Sequence, residues 1–143
     1  MPPHVTILSP FIDVEDLDRV VIARVGEIVA GVPAFDVGFE AVRRWPASEL
    51  GTGVVWLEPT PSEPFVALTR AIWAAFPDYP PYGRPDDDLE AHLTIAIADP
   101  ARFDAAEAEA CRLVPFRRRA TAVTLLVEGP DGRWRTRRRF ALG

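Results

Sequence analysis

The sequence predicts an α+β domain built as an imperfect duplication of a β-α-β-β unit. Three observations lead there. Some segments alternate apolar and polar residues, whereas others repeat apolar residues at helical spacing. The two kinds of segment follow one another along the chain. Each half also opens with the same pattern, a histidine followed two residues later by a threonine. A chain of 143 residues can bury one proper core and is too short for two ordinary domains.

His4 to Pro10 (HVTILSP) is a β-branched, alternating run and predicts a strand. Asp13, Glu15 and Asp16 then open a helical pattern through Leu17, Val20, Val21, Val25 and Ile28, stopped by Gly31 and Pro33. Phe35, Val37, Phe39 and Ala41 alternate as a second strand, and Val54 to Leu57 form a short third. Ser62 precedes a second amphipathic helix carrying Phe65, Leu68, Ile72 and Phe76. A proline-rich loop fills 77–91, too long for a mere connector and therefore a place to look for function.

The second half repeats the layout. His92 to Ala98 predicts a strand, and Pro100 to Leu113 an Ala/Glu-rich helix with proline near its start. Phe116 to Glu128 and Arg133 to Leu142 predict strands joined by the turn Gly129-Pro130-Asp131-Gly132. The expected division is a first lobe over about 1–76, the loop 77–91, and a second lobe over about 92–143.

Composition removes several function classes. The apolar fraction of 48% and charged fraction of 26% are those of a folded globular chain. No apolar run approaches the ~18 residues of a membrane span, and the N-terminus lacks the features of a signal peptide. A cytoplasmic protein is the expectation. Cys111 is the single cysteine, which excludes an internal disulfide and a thiolate metal cluster. A net charge of −5 argues against gripping long nucleic acid over a broad surface. All 16 basic residues are arginine, and many crowd the last thirty positions.

His4 and His92 are the two histidines of the chain, and each heads an H-x-T pattern. Threonine fills 8 of 143 positions, so both matches arise by chance at roughly 1 in 300. In a strand, residues i and i+2 project from one face, so His4 points with Thr6 and His92 with Thr94. If the halves pack about a pseudo-twofold, the pairs face each other across a cleft. Such a cleft suits phosphodiester cleavage by proton transfer. One imidazole takes a proton from the attacking water or hydroxyl and the other gives one to the leaving oxygen. The threonine hydroxyls donate to non-bridging phosphate oxygens, and the scheme calls for no metal or cofactor.

His4-Val5-Thr6-Ile7 and His92-Leu93-Thr94-Ile95 are similar to the paired signatures of the 2H phosphoesterase superfamily. The stretches PPHVTILSPF at 2–11, FPDYPPYG at 76–83 and HLTIAIA at 92–98 resemble its bacterial 2'-5' RNA ligase-like branch. The resemblance implies a bilobal fold with antiparallel sheets around a central cleft. It also implies metal-independent action on 2',3'-cyclic phosphate or 2'-5' linked ends of nucleotides or short RNA. His4, Thr6, His92 and Thr94 are then the catalytic set. Such relatives usually carry a strand and helix before the first motif, whereas His4 stands four residues in. Either the fold is trimmed, or the sheet is completed differently, for example by a second molecule pairing as a homodimer through an uncovered strand edge. Two other readings stand beside catalysis: a module that only binds a nucleotide or RNA end, and an inactive truncated relative.

Secondary candidates follow from position. Tyr82 lies in the loop before the second motif, where a ring can stack on a base or merely stiffen the loop. Arg84 can meet phosphate or pair with Asp86, Asp87 or Asp88. Phe11 can floor the cleft, with core packing the plainer role. Period two puts Arg133, Arg135, Arg137 and Arg139 on one face of the last strand, with Trp134, Thr136, Arg138 and Phe140 on the other. The tryptophans Trp45, Trp56, Trp73 and Trp134 are expected as core and rim packing.

Overall fold

A computed structural model describes residues 3–47, 51–86 and 88–143. In chain order it contains α1 (Arg19–Ala30), β1 (Phe35–Trp45), β2 (Gly53–Thr60), α2 (Glu63–Ala75), β3 (Leu93–Ala98), α3 (Phe103–Leu113), β4 (Phe116–Ala120), β5 (Ala122–Glu128) and β6 (Trp134–Ala141). Four strands form an antiparallel sheet in the order β3-β2-β1-β4, and β5 and β6 form a second, two-stranded sheet. Each half of the chain contributes two strands to the larger sheet. The predicted α+β class holds.

Local chemistry explains the element ends. The Asp18 carboxylate accepts from the Val21 N–H at 2.9 Å and caps α1. The helix therefore starts at Arg19, later than the acids at 13–16 suggest. The Ser62 carbonyl receives the Phe65 and Val66 amides at the start of α2. The run Phe116–Glu128, expected as one strand, is two. Ala120 pairs with Phe35, the first residue of β1. Past that point β4 has no partner strand to follow, so the chain crosses at Thr121 to pair with β6.

The expected strand His4–Pro10 is also revised. Of that segment, Val5 alone enters the ladder, as an isolated antiparallel bridge to Leu93. Pro3 has no N–H to extend the ladder backwards. The carbonyls further on are claimed by other partners. The Thr69 hydroxyl donates to Ile7 at 2.7 Å, and the Tyr82 amide donates to Ser9 at 2.7 Å.

Two apolar clusters hold the structure. The first lies on one face of the larger sheet, where Val37, Phe39, Val55, Leu57 and Leu93 meet Phe65 of α2 and Phe103 and Ala110 of α3. The second joins Val25 and Val29 of α1, Leu68 of α2, and Phe140 and Leu142 at the C-terminus. Gly53 permits the close approach of α3: a Cβ there would lie 2.1 Å from the Phe103 ring and 2.6 Å from the Trp45 carbonyl. Along β2, the fully buried Val55 and Leu57 face this core, so Val54, Trp56 and Glu58 point to the opposite face. Arg44, on the core side, reaches Asp104 and Glu107 of α3. Among the described residues no helix is long and apolar enough to cross a membrane.

Leu57 is wholly buried at the centre of the sheet. Leu57→Ala is expected to lower unfolding free energy by about 2–5 kcal/mol, read as a shift of the urea midpoint at unchanged slope. A loss under about 1 kcal/mol would mean that the first cluster is not the principal core.

Candidate active site

The Val5–Leu93 bridge brings the two motifs together. Both side chains enter the first core, Leu93 as a buried member and Val5 partly buried against it. Their sequence neighbours therefore point away from the core. Antiparallel pairing of Val5 with Leu93 sets Thr6 opposite His92 and His4 opposite Thr94. In such pairs the Cα atoms stand about 4.5–5.5 Å apart. Each histidine is thus beside the threonine of the other motif, on the face of the sheet that the helices leave open. His4 and Thr94 are exposed, and Thr6 and His92 half-buried, so the face admits a ligand.

β2 and β1 continue this face. Trp56 pairs with Thr94 on one side and with Arg43 on the other. Arg43 is held by Glu58, its Nε and Nη2 lying 2.9 and 2.8 Å from Oε2. Trp45 tilts over Trp56 with ring centroids 4.9 Å apart, and meets the His92 ring edge-on at 4.6 Å. Tyr82 lies 6.1 Å from His92 with the rings inclined by 31°. His92 is therefore walled by three aromatic side chains. The Trp56 indole N–H is buried and meets no acceptor among the described residues.

One hydrogen bond decides the histidine's tautomer. His92 Nδ1 lies 2.9 Å from the Glu90 carbonyl, which can only accept. Nδ1 therefore carries the proton, and Nε2 is left to accept or donate toward a ligand.

Tyr82 ties the loop to the first motif. Its backbone adopts φ +54°, a conformation that non-glycine residues rarely hold, and its amide bond to Ser9 keeps it there. Its hydroxyl is hydrogen-bonded to the Thr6 side chain. Partial burial pushes the phenol above its ordinary value, while the Thr6 bond and the charge of Arg84 pull it back down.

A hollow of about 370 Å³ opens beside these groups, lined by Trp45, Pro81, Tyr82, Arg84, Asp86, Asp88, Leu89, Glu90 and His92. Of the residues singled out from sequence, the structure gathers His4, Thr6, His92, Thr94, Tyr82 and Arg84 here. Phe11 lies elsewhere, packing edge-on against Phe76 at 5.2 Å and Tyr79 at 5.7 Å beside the second core. Asp87, considered as a partner for Arg84, lies outside the described residues. Trp45, expected as packing, lines the hollow, whereas Trp56 is buried as expected, on the site's side of the sheet beneath Trp45. The available signal is parity: along β2 Trp56 alternates with the core residues Val55 and Leu57.

The family model described as the 2'-5' RNA ligase superfamily matches residues 1–132. The chain belongs to that superfamily. No curated protein matches it. As a 2H phosphoesterase, it sets both of its H-x-T motifs on the uncovered side of the sheet.

Tyr79 and Tyr82 are the two tyrosines, so Tyr79→Phe isolates the second in an ultraviolet titration. Tyr82 is expected to ionise above the usual value of about 10, and Thr6→Val to raise it further. With the folded value raised, the neutral phenol stabilises the fold fully below pH ~10, and that contribution falls as pH climbs past it. Ionisation at or below 10, or no response to Thr6→Val, would contradict the Thr6–Tyr82 bond.

Proposed function

We propose that this superfamily member hydrolyses 2',3'-cyclic phosphate ends of nucleotides or short RNA by two-histidine acid–base catalysis. The observation that carries the reading is the Val5–Leu93 register, which puts each histidine next to the other motif's threonine on one open face. The superfamily match supports a phosphoester or 2'-5' linked substrate in general.

In the hydrolytic direction, one imidazole removes a proton from water as the oxygen attacks phosphorus. The other protonates the departing 2' or 3' oxygen as its bond to phosphorus breaks. The product is a phosphomonoester with a free ribose hydroxyl. Ligation to a 2'-5' linkage is the same ring opening with a ribose 5'-hydroxyl in place of water as nucleophile and the 3' oxygen as leaving group. His92 presents Nε2, because the Glu90 carbonyl holds Nδ1–H and so holds the ring in one orientation.

Thr6 and Thr94 donate to the non-bridging oxygens as negative charge builds on them. Tyr82 positions Thr6: the hydrogen bond between the two side chains fixes the Thr6 hydroxyl beside His92. The hollow between Trp45 and Tyr82 takes the base, which any aromatic wall can bind by stacking. Arg84, on the hollow's rim, offsets part of the negative charge that Asp86, Asp88 and Glu90 set around the base.

The test is turnover of the four 2',3'-cyclic nucleotides from pH 5 to 9, with EDTA present. Wild type is expected to give a bell-shaped profile. His4→Ala and His92→Ala should each lower kcat by about 10²–10⁴-fold, and Trp45→Ala should chiefly raise KM. Activity that survives either histidine substitution refutes the mechanism. Nucleotide binding without turnover in wild type would leave a binding module in its place.

A further inference from the structure

Charge is unevenly divided along the chain. Residues 116–143 carry eight arginines against two acids, net +6, whereas the remainder carries eight arginines against nineteen acids, net −11. The positive segment contains β4 and the β5–β6 hairpin. Every residue of 131–139 is exposed, so both faces of β6 stand free over most of its length. Phe140 and Leu142 alone anchor its end in the second core.

The sidedness of β6 differs from simple alternation. The β5–β6 register shifts between Leu125 and Leu126, leaving Arg137 as an extra residue opposite no partner. Thr124 pairs with Arg139, Leu126 with Thr136 and Glu128 with Trp134. Val123 and Leu125 pack against the second core, so this second set lies on the outer face. The bulge thus puts Trp134, 48% exposed, on the same face as Thr136 and Arg139. The four arginines expected to share one face do not: Arg135 lies on the inner side and is taken by Asp131 at 2.7 Å. Among the described residues, Arg137, Arg138 and Arg139 form no ion pair. Arg117 and Arg118 of β4 are exposed nearby in sequence, and Arg118 stacks over Phe116.

We infer that the outer face of β6 is a docking surface for the sugar–phosphate backbone of a single RNA strand whose reacting end lies in the active site. An exposed tryptophan beside unpaired arginines offers what an unstructured RNA strand needs: a flat ring on which a base stacks, and guanidinium groups for phosphates. The position gives the length requirement. β4, which leads into the hairpin, is three strands from β3, about 14 Å at the usual strand spacing. A mononucleotide in the hollow does not span that separation, and a strand of several nucleotides does. The identity of the ligand rests on the phosphoesterase reading, while its binding does not depend on turnover.

The experiment pairs two readouts. The first is anisotropy of a fluorescently labelled ten-nucleotide RNA with an unreactive 3'-hydroxyl, titrated over 50–300 mM salt. The second is hydrolysis of a 2',3'-cyclic mononucleotide by the same proteins. Single strands lose affinity with a log–log salt slope of about −0.7 per phosphate contact, so three contacts give a slope near −2. Arg137→Glu/Arg139→Glu is expected to weaken RNA binding at least tenfold and flatten the slope by more than one unit. Trp134→Ala should weaken it by about fivefold to a hundredfold, the range for loss of one stacked base. Mononucleotide hydrolysis should be unchanged in both.

RNA affinity indifferent to these substitutions, or abolished by His92→Ala alone, overturns the inference and leaves the phosphoesterase reading standing. RNA binding as expected with no cyclic nucleotide turnover does the reverse. Sedimentation of wild type alone covers the remaining occupant: a salt-sensitive dimer abolished by the double substitution would make β6 a contact between two copies, and would also overturn it.

Discussion

The pairing of Val5 with Leu93 is the contact on which the rest of the site depends. It is a single bridge in the ladder, yet both side chains enter the first core, and that burial fixes its register. A slip by one residue would turn His4 and Thr6 inward and expose Val5, losing apolar burial and stranding two polar side chains. The core therefore selects the alignment in which each histidine meets the opposite threonine. Position within the active face is a by-product of packing on the other side of the same backbone.

The same logic extends across β2 and β1. Val55 and Leu57 are held by α2 and α3, so Trp56 and Glu58 have no choice of side. Among the described residues, α2 and α3 cover the core side of this sheet, and the opposite face remains open over His4 and Thr94. Loop 77–91 then closes the aromatic wall. The Tyr82 amide to Ser9 and its hydroxyl to Thr6 are two independent ties between the loop and the first motif. Together they hold a backbone conformation whose strain, of order 1–3 kcal/mol, would otherwise relax.

Much of this was legible in the sequence, and the failures have definite causes. Helical spacing identified α1 and α2, and Ala/Glu richness identified α3; alternation identified β1, and short apolar runs identified β2 and β3. The H-x-T repeat identified the four residues that the bridge gathers. What could not be read was pairing. His4–Pro10 has the composition of a strand, but proline removes a donor, and the Thr69 hydroxyl and the Tyr82 amide claim its carbonyls. The run after Phe116 reads as continuous strand, yet it changes sheets opposite the first residue of β1. On β6 one inserted arginine reverses the sides of all that precede it. Period-two reasoning fails at every bulge because a bulge is a property of two strands, and the sequence displays one at a time.

The charge division bears on how a nucleotide would lie in the proposed site. Among the described residues lining the hollow, Asp86, Asp88 and Glu90 outnumber the cation Arg84, so its potential is unfavourable to a phosphate group there. A neutral base flanked by Trp45 and Tyr82 pays no such penalty, and carboxylates can accept from its amino groups. The phosphate is better held outside the carboxylate rim, over the histidines and threonines, where neutral hydroxyls and an imidazole meet it. A chain running from the acidic loop toward the arginines of β6 moves down the potential, and one running the other way moves up it. On the proposed reading, the acids around the hollow would act on orientation, repelling a sugar–phosphate backbone from the base side and favouring one direction for a strand.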